Sequence, residues 1–173
     1  FKVPEGQLVP FPLALRDPRA ERAAPHRRGD GPVRFLLVGG MNADRRKQAV
    51  KVMQAFAEAR LGGRATLTVL CQGVEFVRPP AQQQRSIQVR TGHLTYAEVM
   101  HEYAAHHVVL MMSRAEGIGI GFHEALRAGC GVVTLDVAMF RELVLHEKTG
   151  WLVKALGEDG ILGAQLIGND DPI

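Results

Sequence analysis

Five consecutive apolar residues, Val108-Val109-Leu110-Met111-Met112, run directly into Ser113–Gly131, which reads SRAEGIGIGFHEALRAGCG. The apolar run has the length of a buried strand and is far too short for a membrane span. Phe122 to Ala128 is amphipathic, and Gly129 can stop it as a helix. Between strand and helix stand Gly117, Gly119 and Gly121, bracketed by Glu116 and Glu124. A strand, a glycine-rich turn and a helix start together form a place where backbone N–H groups point at an anion.

The same strand-then-helix unit recurs along the chain. Val33-Arg34-Phe35-Leu36-Leu37-Val38 reads as a buried strand closed by Gly39-Gly40. Asn42 or Asp44 is expected to cap the next helix, with apolar positions at Val50, Met53, Phe56 and Leu61 and a C-cap at Gly62-Gly63. Ala65 to Leu70 is a second strand, and residues 72 to 85, with Pro79-Pro80, form a loop or a short irregular helix. Ser86 to Arg90 is a third strand, turned by Gly92-His93-Leu94. Thr95-Tyr96-Ala97-Glu98 is a capping box opening a helix to His106. After the glycine-rich unit come a strand at 131 to 135, a helix at 139 to 145 and a last short strand at 149 to 153. Helical spacing alternates with continuous apolar runs, which predicts an α/β fold: a Rossmann-like three-layer sandwich on a parallel sheet. Residues 33 to 173 form this domain. Residues 1 to 32 carry six of the nine prolines and no periodicity, as an extended N-terminal linker segment does. Arg28-Gly29-Asp30 inside it is turn chemistry. The tail from Glu158 is weakly helical and truncated, and the first residue, Phe1, suggests a piece of a longer protein.

Composition excludes several functions. A net charge of +3 favours anionic ligands but is too small for a nucleic-acid groove. Aromatic residues make up 6%, too few and too scattered for a base-stacking platform. There is no signal-peptide pattern at the N-terminus. Cys71 and Cys130 lie far apart in apolar surroundings, as buried free thiols of a reducing, cytoplasmic compartment do. His101, His106 and His107 do not share one helix face, so no metal site is expected; His123 reads as a packed or hydrogen-bonded residue.

In a parallel sheet, ligands bind at the carboxyl ends of the strands. That end gathers residues 39 to 47, 92 to 94, 113 to 121 and 136 to 142. Phe122 stands where the dinucleotide fingerprint needs its third glycine, and no P-loop Lys-Ser/Thr follows. Glu116 and Glu124 would repel a phosphate but accept hydrogen bonds from sugar hydroxyls. Arg45, Arg46 and Lys47 oppose the dipole at a helix start, a cost that a bound diphosphate would offset.

Ser113-Arg114-Ala115-Glu116-Gly117-Ile118-Gly119 through Glu124-Ala125-Leu126-Arg127-Ala128-Gly129 to Val132-Val133 resembles the paired-glutamate motif of retaining GT-B glycosyltransferases of the family 4 type, the glycosyl transferases group 1. Phe35-Leu36-Leu37-Val38-Gly39, Arg46-Lys47, Asp136-Val137, Arg141-Glu142-Leu143-Val144 and Thr149-Gly150-Trp151-Leu152-Val153 extend the similarity in order. It covers about residues 33 to 170, the C-terminal, donor-binding half of such an enzyme. The resemblance implies transfer of a sugar from a UDP-, GDP- or ADP-linked donor to an acceptor, with retention and without a metal. It assigns Lys47 and Arg46 to the diphosphate, with the N–H groups of Ile118 and Gly119. Glu116 would meet the transferred sugar, Glu124 the ribose, and Gly92, His93 and Leu94 the base; Gly39, Gly40 and Gly117 complete the donor site. It also implies a partner N-terminal acceptor domain, through which the protein could meet a membrane peripherally. The chain departs from the family pattern at Gly40, commonly Arg, and at Gly131, commonly Pro. Ala138-Met139 replace a glycine pair and are expected to crowd the diphosphate or acceptor side. Arg45 is the nearest substitute for the missing cation. Two other functions share these features: a catalytically silent binding module on the same fold, and a sugar phosphorylase.

Overall fold

A computed structural model describes residues 31–40, 43, 45–72, 85–114 and 116–154. The N-terminal segment through residue 30, with its Arg-Gly-Asp, lies outside them. So do Asn42 and Asp44, most of the 72–85 loop, and the tail from Glu158.

Six parallel strands form one sheet: β1 (Val33–Gly40), β2 (Ala65–Cys71), β3 (Ile87–Thr91), β4 (Val108–Met111), β5 (Gly131–Leu135) and β6 (Gly150–Val153). Their order is β3-β2-β1-β4-β5-β6. Four helices join them: α1 (Ala49–Glu58), α2 (Tyr96–Ala105), α3 (Ile120–Arg127) and α4 (Ala138–Arg141). The expected Rossmann-like sandwich is the fold observed. The inner strands carry core residues on both faces, which is why their apolar runs do not alternate, whereas the edge strands β3 and β6 expose every second residue. Leu36 joins Val109, Val132, Tyr103, Phe122 and Phe140 in one core. Its neighbour Leu37 joins Leu67, Val69, Val52 and Met53 in the other. Both cysteines are buried and free, as expected.

Three boundaries differ from expectation, the first because of contacts distant in sequence and the other two because of local turns. α1 begins at Ala49, not near residue 44, and Gln48 is its N-cap with φ 56°. Residues 45–47 form a turn instead, held from outside by the Arg114 N–H donating to the Arg46 carbonyl at 2.9 Å. Gln48 Nε2 donates to the Met112 carbonyl at 2.8 Å, so this side chain is spent on the next strand's end and not on capping. α1 then stops at Glu58; Arg60, with φ 46°, turns the chain before the glycine pair is reached. α4 ends after Arg141, not at 145. Beyond it the Leu145 N–H donates to Thr149 Oγ1 at 2.9 Å and the Glu147 N–H to the Gly150 carbonyl at 2.7 Å, closing a loop that feeds β6. The capping box of α2 is present, with the Glu98 N–H on Thr95 Oγ1 and the Thr95 N–H on Glu98 Oε2.

Strand order reverses between β1 and β4, its two immediate neighbours on either side being β2 and β5. Connections leave β1 and β4 toward opposite faces, so the segments after them part and leave a crevice at their carboxyl ends. Among the described residues no helix is long and apolar enough to cross a membrane.

Candidate functional site

The crevice is a cleft of about 450 Å³. Gly39 and Gly40 come to it from the end of β1, Arg46 and Lys47 from the turn before α1, and Glu116 to Gly121 and Glu124 from the β4–α3 segment. Segments far apart in sequence are thus joined at one place, and the Arg114–Arg46 main-chain bond ties two of them directly. Gly119 has φ 70° and is the N-cap of α3. A side chain there would be strained, and its Cβ would lie 2.8 Å from Leu143 Cδ1. The first turn of α3 opens on the cleft, with N–H groups that the helix itself cannot pair.

Lys47 donates to Glu116 Oε1, and Ser113 Oγ donates to the same oxygen at 2.6 Å. Arg46 Nη1 stands 3.7 Å from Glu116 Oε2. Ser113 is fully buried, so its hydroxyl serves this carboxylate rather than solvent. Burial alone would raise the Glu116 carboxyl, but the hydrogen bonds from Lys47 and Ser113 and the two cations hold it below the ordinary range. Burial pulls the Lys47 ammonium below its usual value, against the pull of Glu116. The cleft therefore neutralises its own cation with an internal anion.

Glu124 differs. Burial pushes its carboxyl above the usual range, opposed by a hydrogen bond with the Tyr103 hydroxyl and by the charge of Arg127. Tyr103 and Ser113 were not singled out by type or spacing. Tyr103 falls among the apolar positions of α2 and reads as core; its partner lies on α3, which no local pattern reveals.

Of the expected donor residues, Gly39, Gly40, Arg46, Lys47, Glu116, Gly117, Ile118, Gly119 and Glu124 line the cleft. Gly92, His93 and Leu94 do not. They follow β3, an edge strand separated from β1 by β2, and Leu94 packs on the core beneath. Ala138 and Met139 do not line this cleft: they form the first turn of α4, where Ala138 is exposed and Met139 meets the core. Arg45 is exposed outside the lining. Gly40 has φ 61°, which a side chain rarely adopts, and open space where its Cβ would be. Gly131 donates its N–H to the His107 carbonyl at 2.9 Å, a bond that the family's proline could not make.

His106 and His107 are occupied in the framework. His106 places Nε2 2.9 Å from Thr68 Oγ1, and His107 Nδ1 accepts from the Arg34 N–H at 3.0 Å. Among the described residues no three His, Cys, Asp or Glu side chains are grouped to hold a metal ion.

Solved structures share this fold at low identity. The apo form of the lipopolysaccharide outer core galactosyltransferase WaaB matches with a TM-score of 0.61 and 20% identity, over 77% of this chain and 38% of that one. The C-terminal domain of LpcC, a glycosyl transferase group 1 family protein from Francisella tularensis, matches with a TM-score of 0.61 and 18% identity, over 80% and 79%. The pneumococcal O-GlcNAc transferase GtfA, in complex with UDP and GlcNAc, matches with a TM-score of 0.61 and 18% identity, over 82% and 28%. The chain thus spans well under half the length of WaaB and GtfA. No curated protein matches the sequence. The family description "Glycosyl transferases group 1" matches residues 32–164, most of the chain, and the fold agrees with it. The chain belongs to the glycosyl transferases group 1 family, as a domain of GT-B architecture.

Proposed function

We propose that this domain binds the nucleotide-sugar donor of a glycosyltransferase, and that the complete protein transfers the sugar to an acceptor with retention of anomeric configuration. The observation that carries this is the cleft at the β1/β4 reversal, where two cations, a glycine-rich helix start and two carboxylates of opposite electrostatic character converge. Lys47 and Arg46 take the diphosphate together with the N–H groups of Ile118 and Gly119. When the diphosphate enters, it replaces Glu116 as the partner of Lys47, and the released carboxylate turns to the hydroxyls of the sugar. Glu124 accepts from the ribose. The base extends toward the Gly92-His93-Leu94 turn at the same end of the sheet.

Negative charge builds on the leaving diphosphate as the glycosidic bond breaks. Fixed cations and an oriented helix start stabilise it without reorganisation, which is electrostatic catalysis. These groups supply the compensating charge themselves, so donor binding is expected to persist in EDTA. The acceptor is held by a second domain, outside this chain.

Titration with UDP, GDP and ADP by calorimetry tests this. Saturable binding of one of them is expected, weakened about tenfold or more by Glu124→Ala, since hydrogen bonds to charged groups are worth roughly 1.5–3 kcal/mol. Absence of binding by all three would overturn it. Binding that ignores Glu124→Ala would favour a silent module on the same fold.

A further inference from the structure

Three consecutive residues before α1 each reach the segment that follows β4. The Arg46 carbonyl accepts from the Arg114 N–H at 2.9 Å, Lys47 donates to Glu116, and Gln48 Nε2 donates to the Met112 carbonyl at 2.8 Å. The bonds at 46 and 48 bracket Lys47, and their partners at 114 and 112 bracket Ser113. Lys47 and Ser113 are the two donors that share Glu116 Oε1. Two distant stretches of chain are therefore clipped together on either side of the pair that meets the carboxylate. One clip is main chain to main chain, and the other is the Gln48 side chain.

Gln48 makes its bond at a cost. It sits at φ 56° and ψ 37°, a left-handed conformation that glycine adopts without strain and a residue with a side chain does not. It is 3% exposed, and its Oε1 is buried with no hydrogen-bond partner among the described residues. A buried acceptor left unpaired is unfavourable. The side chain gives α1 no cap in return. Gln48 does not line the cleft, so it acts on a ligand only through its neighbours. What it supplies and glycine could not is one amide N–H, which holds the Lys47 turn to the end of β4. Strain of this kind persists where the surrounding structure makes use of it.

We propose that Gln48 is a positioning residue, whose side-chain bond to Met112 fixes Arg46 and Lys47 in the cleft and so sets its preference for a diphosphate over a monophosphate. This rests on the donor-binding function proposed above. In that function the diphosphate takes Lys47 from Glu116, which removes the side-chain bond tying Lys47 to the β4–α3 segment. The bonds at 46 and 48 do not involve Glu116, so they keep the turn in place when the ligand enters. A cation already held where the terminal phosphate arrives has less freedom to lose on binding than one carried on a loose turn.

Calorimetric titration of the wild-type chain and two variants tests this. Gln48→Gly keeps the left-handed turn and loses the amide; Gln48→Met keeps the length and loses the amide. The probe is whichever of UDP, GDP and ADP binds, together with its monophosphate. The wild type should prefer the diphosphate, and both variants should lose about tenfold of that preference while keeping their affinity for the monophosphate. A merely structural role would weaken both ligands alike, and that result overturns the assignment, as does an unchanged ratio. In a chain carrying Arg46→Met and Lys47→Met, Gln48→Gly should alter the ratio no further, because it acts through those cations. A further fall there overturns the assignment. If Gln48→Gly fails to fold, Gln48→Met decides; failure of both shows that the side chain serves the fold itself and overturns the assignment too. Equal wild-type affinity for diphosphate and monophosphate overturns it and leaves nucleotide binding standing. Failure of the wild type to bind any nucleotide overturns the donor function, and this assignment with it.

Discussion

Lys47, Ser113 and Glu116 form a small closed circuit in which a buried hydroxyl and an ammonium share one carboxylate oxygen. Glu116 lies below its ordinary range, so it contributes stability above the unfolded-state pKa of about 4.3, and that contribution is lost as pH falls through its lower folded value. Glu116→Gln removes it. In urea titrations the variant should be about 1–2 kcal/mol less stable than wild type at pH 7, the cost of leaving a half-buried ammonium without its anion. The difference should shrink to nothing in strongly acidic buffer; a gap independent of pH would show that Lys47 and Glu116 are not coupled. Glu124 has the opposite sign. Its carboxyl is raised, so the ionised form costs stability at neutral pH, and that cost is relieved as pH falls. Glu124→Gln should therefore be as stable as wild type or more so, by up to about 1 kcal/mol, while binding nucleotide less well.

At the scale of elements, strands are fixed by what crosses between them. A Cβ on Gly150 would overlap the Val132 carbonyl oxygen and press on Val144, both parts of a packed frame. Gly150→Ala should cost about 3 kcal/mol by chemical denaturation, because backbone and not a flexible side chain must move. Loss of under 1 kcal/mol would mean that β6 can shift away from β5. Strands were legible in the sequence because Leu36 and Leu37 bury on opposite faces, which leaves an unbroken apolar run. The capping box at Thr95 was legible because its partners are three residues apart. The start of α1 was not: Gln48 and Arg46 are held by Met112 and Arg114, whose positions only the folded sheet provides. For the same reason Glu116 and Glu124 could be picked out by their spacing, but not the self-neutralisation of Glu116 by Lys47 or the burial that raises the Glu124 carboxyl. Local chemistry picked out residues that line one cleft, and tertiary contacts set the electrostatics among them.

For the whole molecule, the reversal of strand order between β1 and β4 places the crevice where a ligand can sit. Arg46, Lys47 and the α3 start wall the cleft on the side proposed for the diphosphate. The chain covers 38% of WaaB and 28% of GtfA, so in proteins of that size more than half of the polypeptide lies outside the matched domain. If donor and acceptor are divided between domains, this one should bind without turning over. A nucleoside diphosphate that binds only the folded state stabilises it by RT ln(1 + [L]/Kd), about 2.7 kcal/mol at a hundredfold excess over Kd. For a domain of this size, that corresponds to a rise in Tm of several degrees, read in a thermal melt with UDP, GDP or ADP. The same preparation, given nucleotide sugar and sugar acceptors, should release no nucleoside diphosphate above the uncatalysed rate. A melt that shifts together with turnover would place the acceptor site within these 173 residues. A shift without turnover is the result expected if the donor is held here and the attacking hydroxyl is brought by another domain.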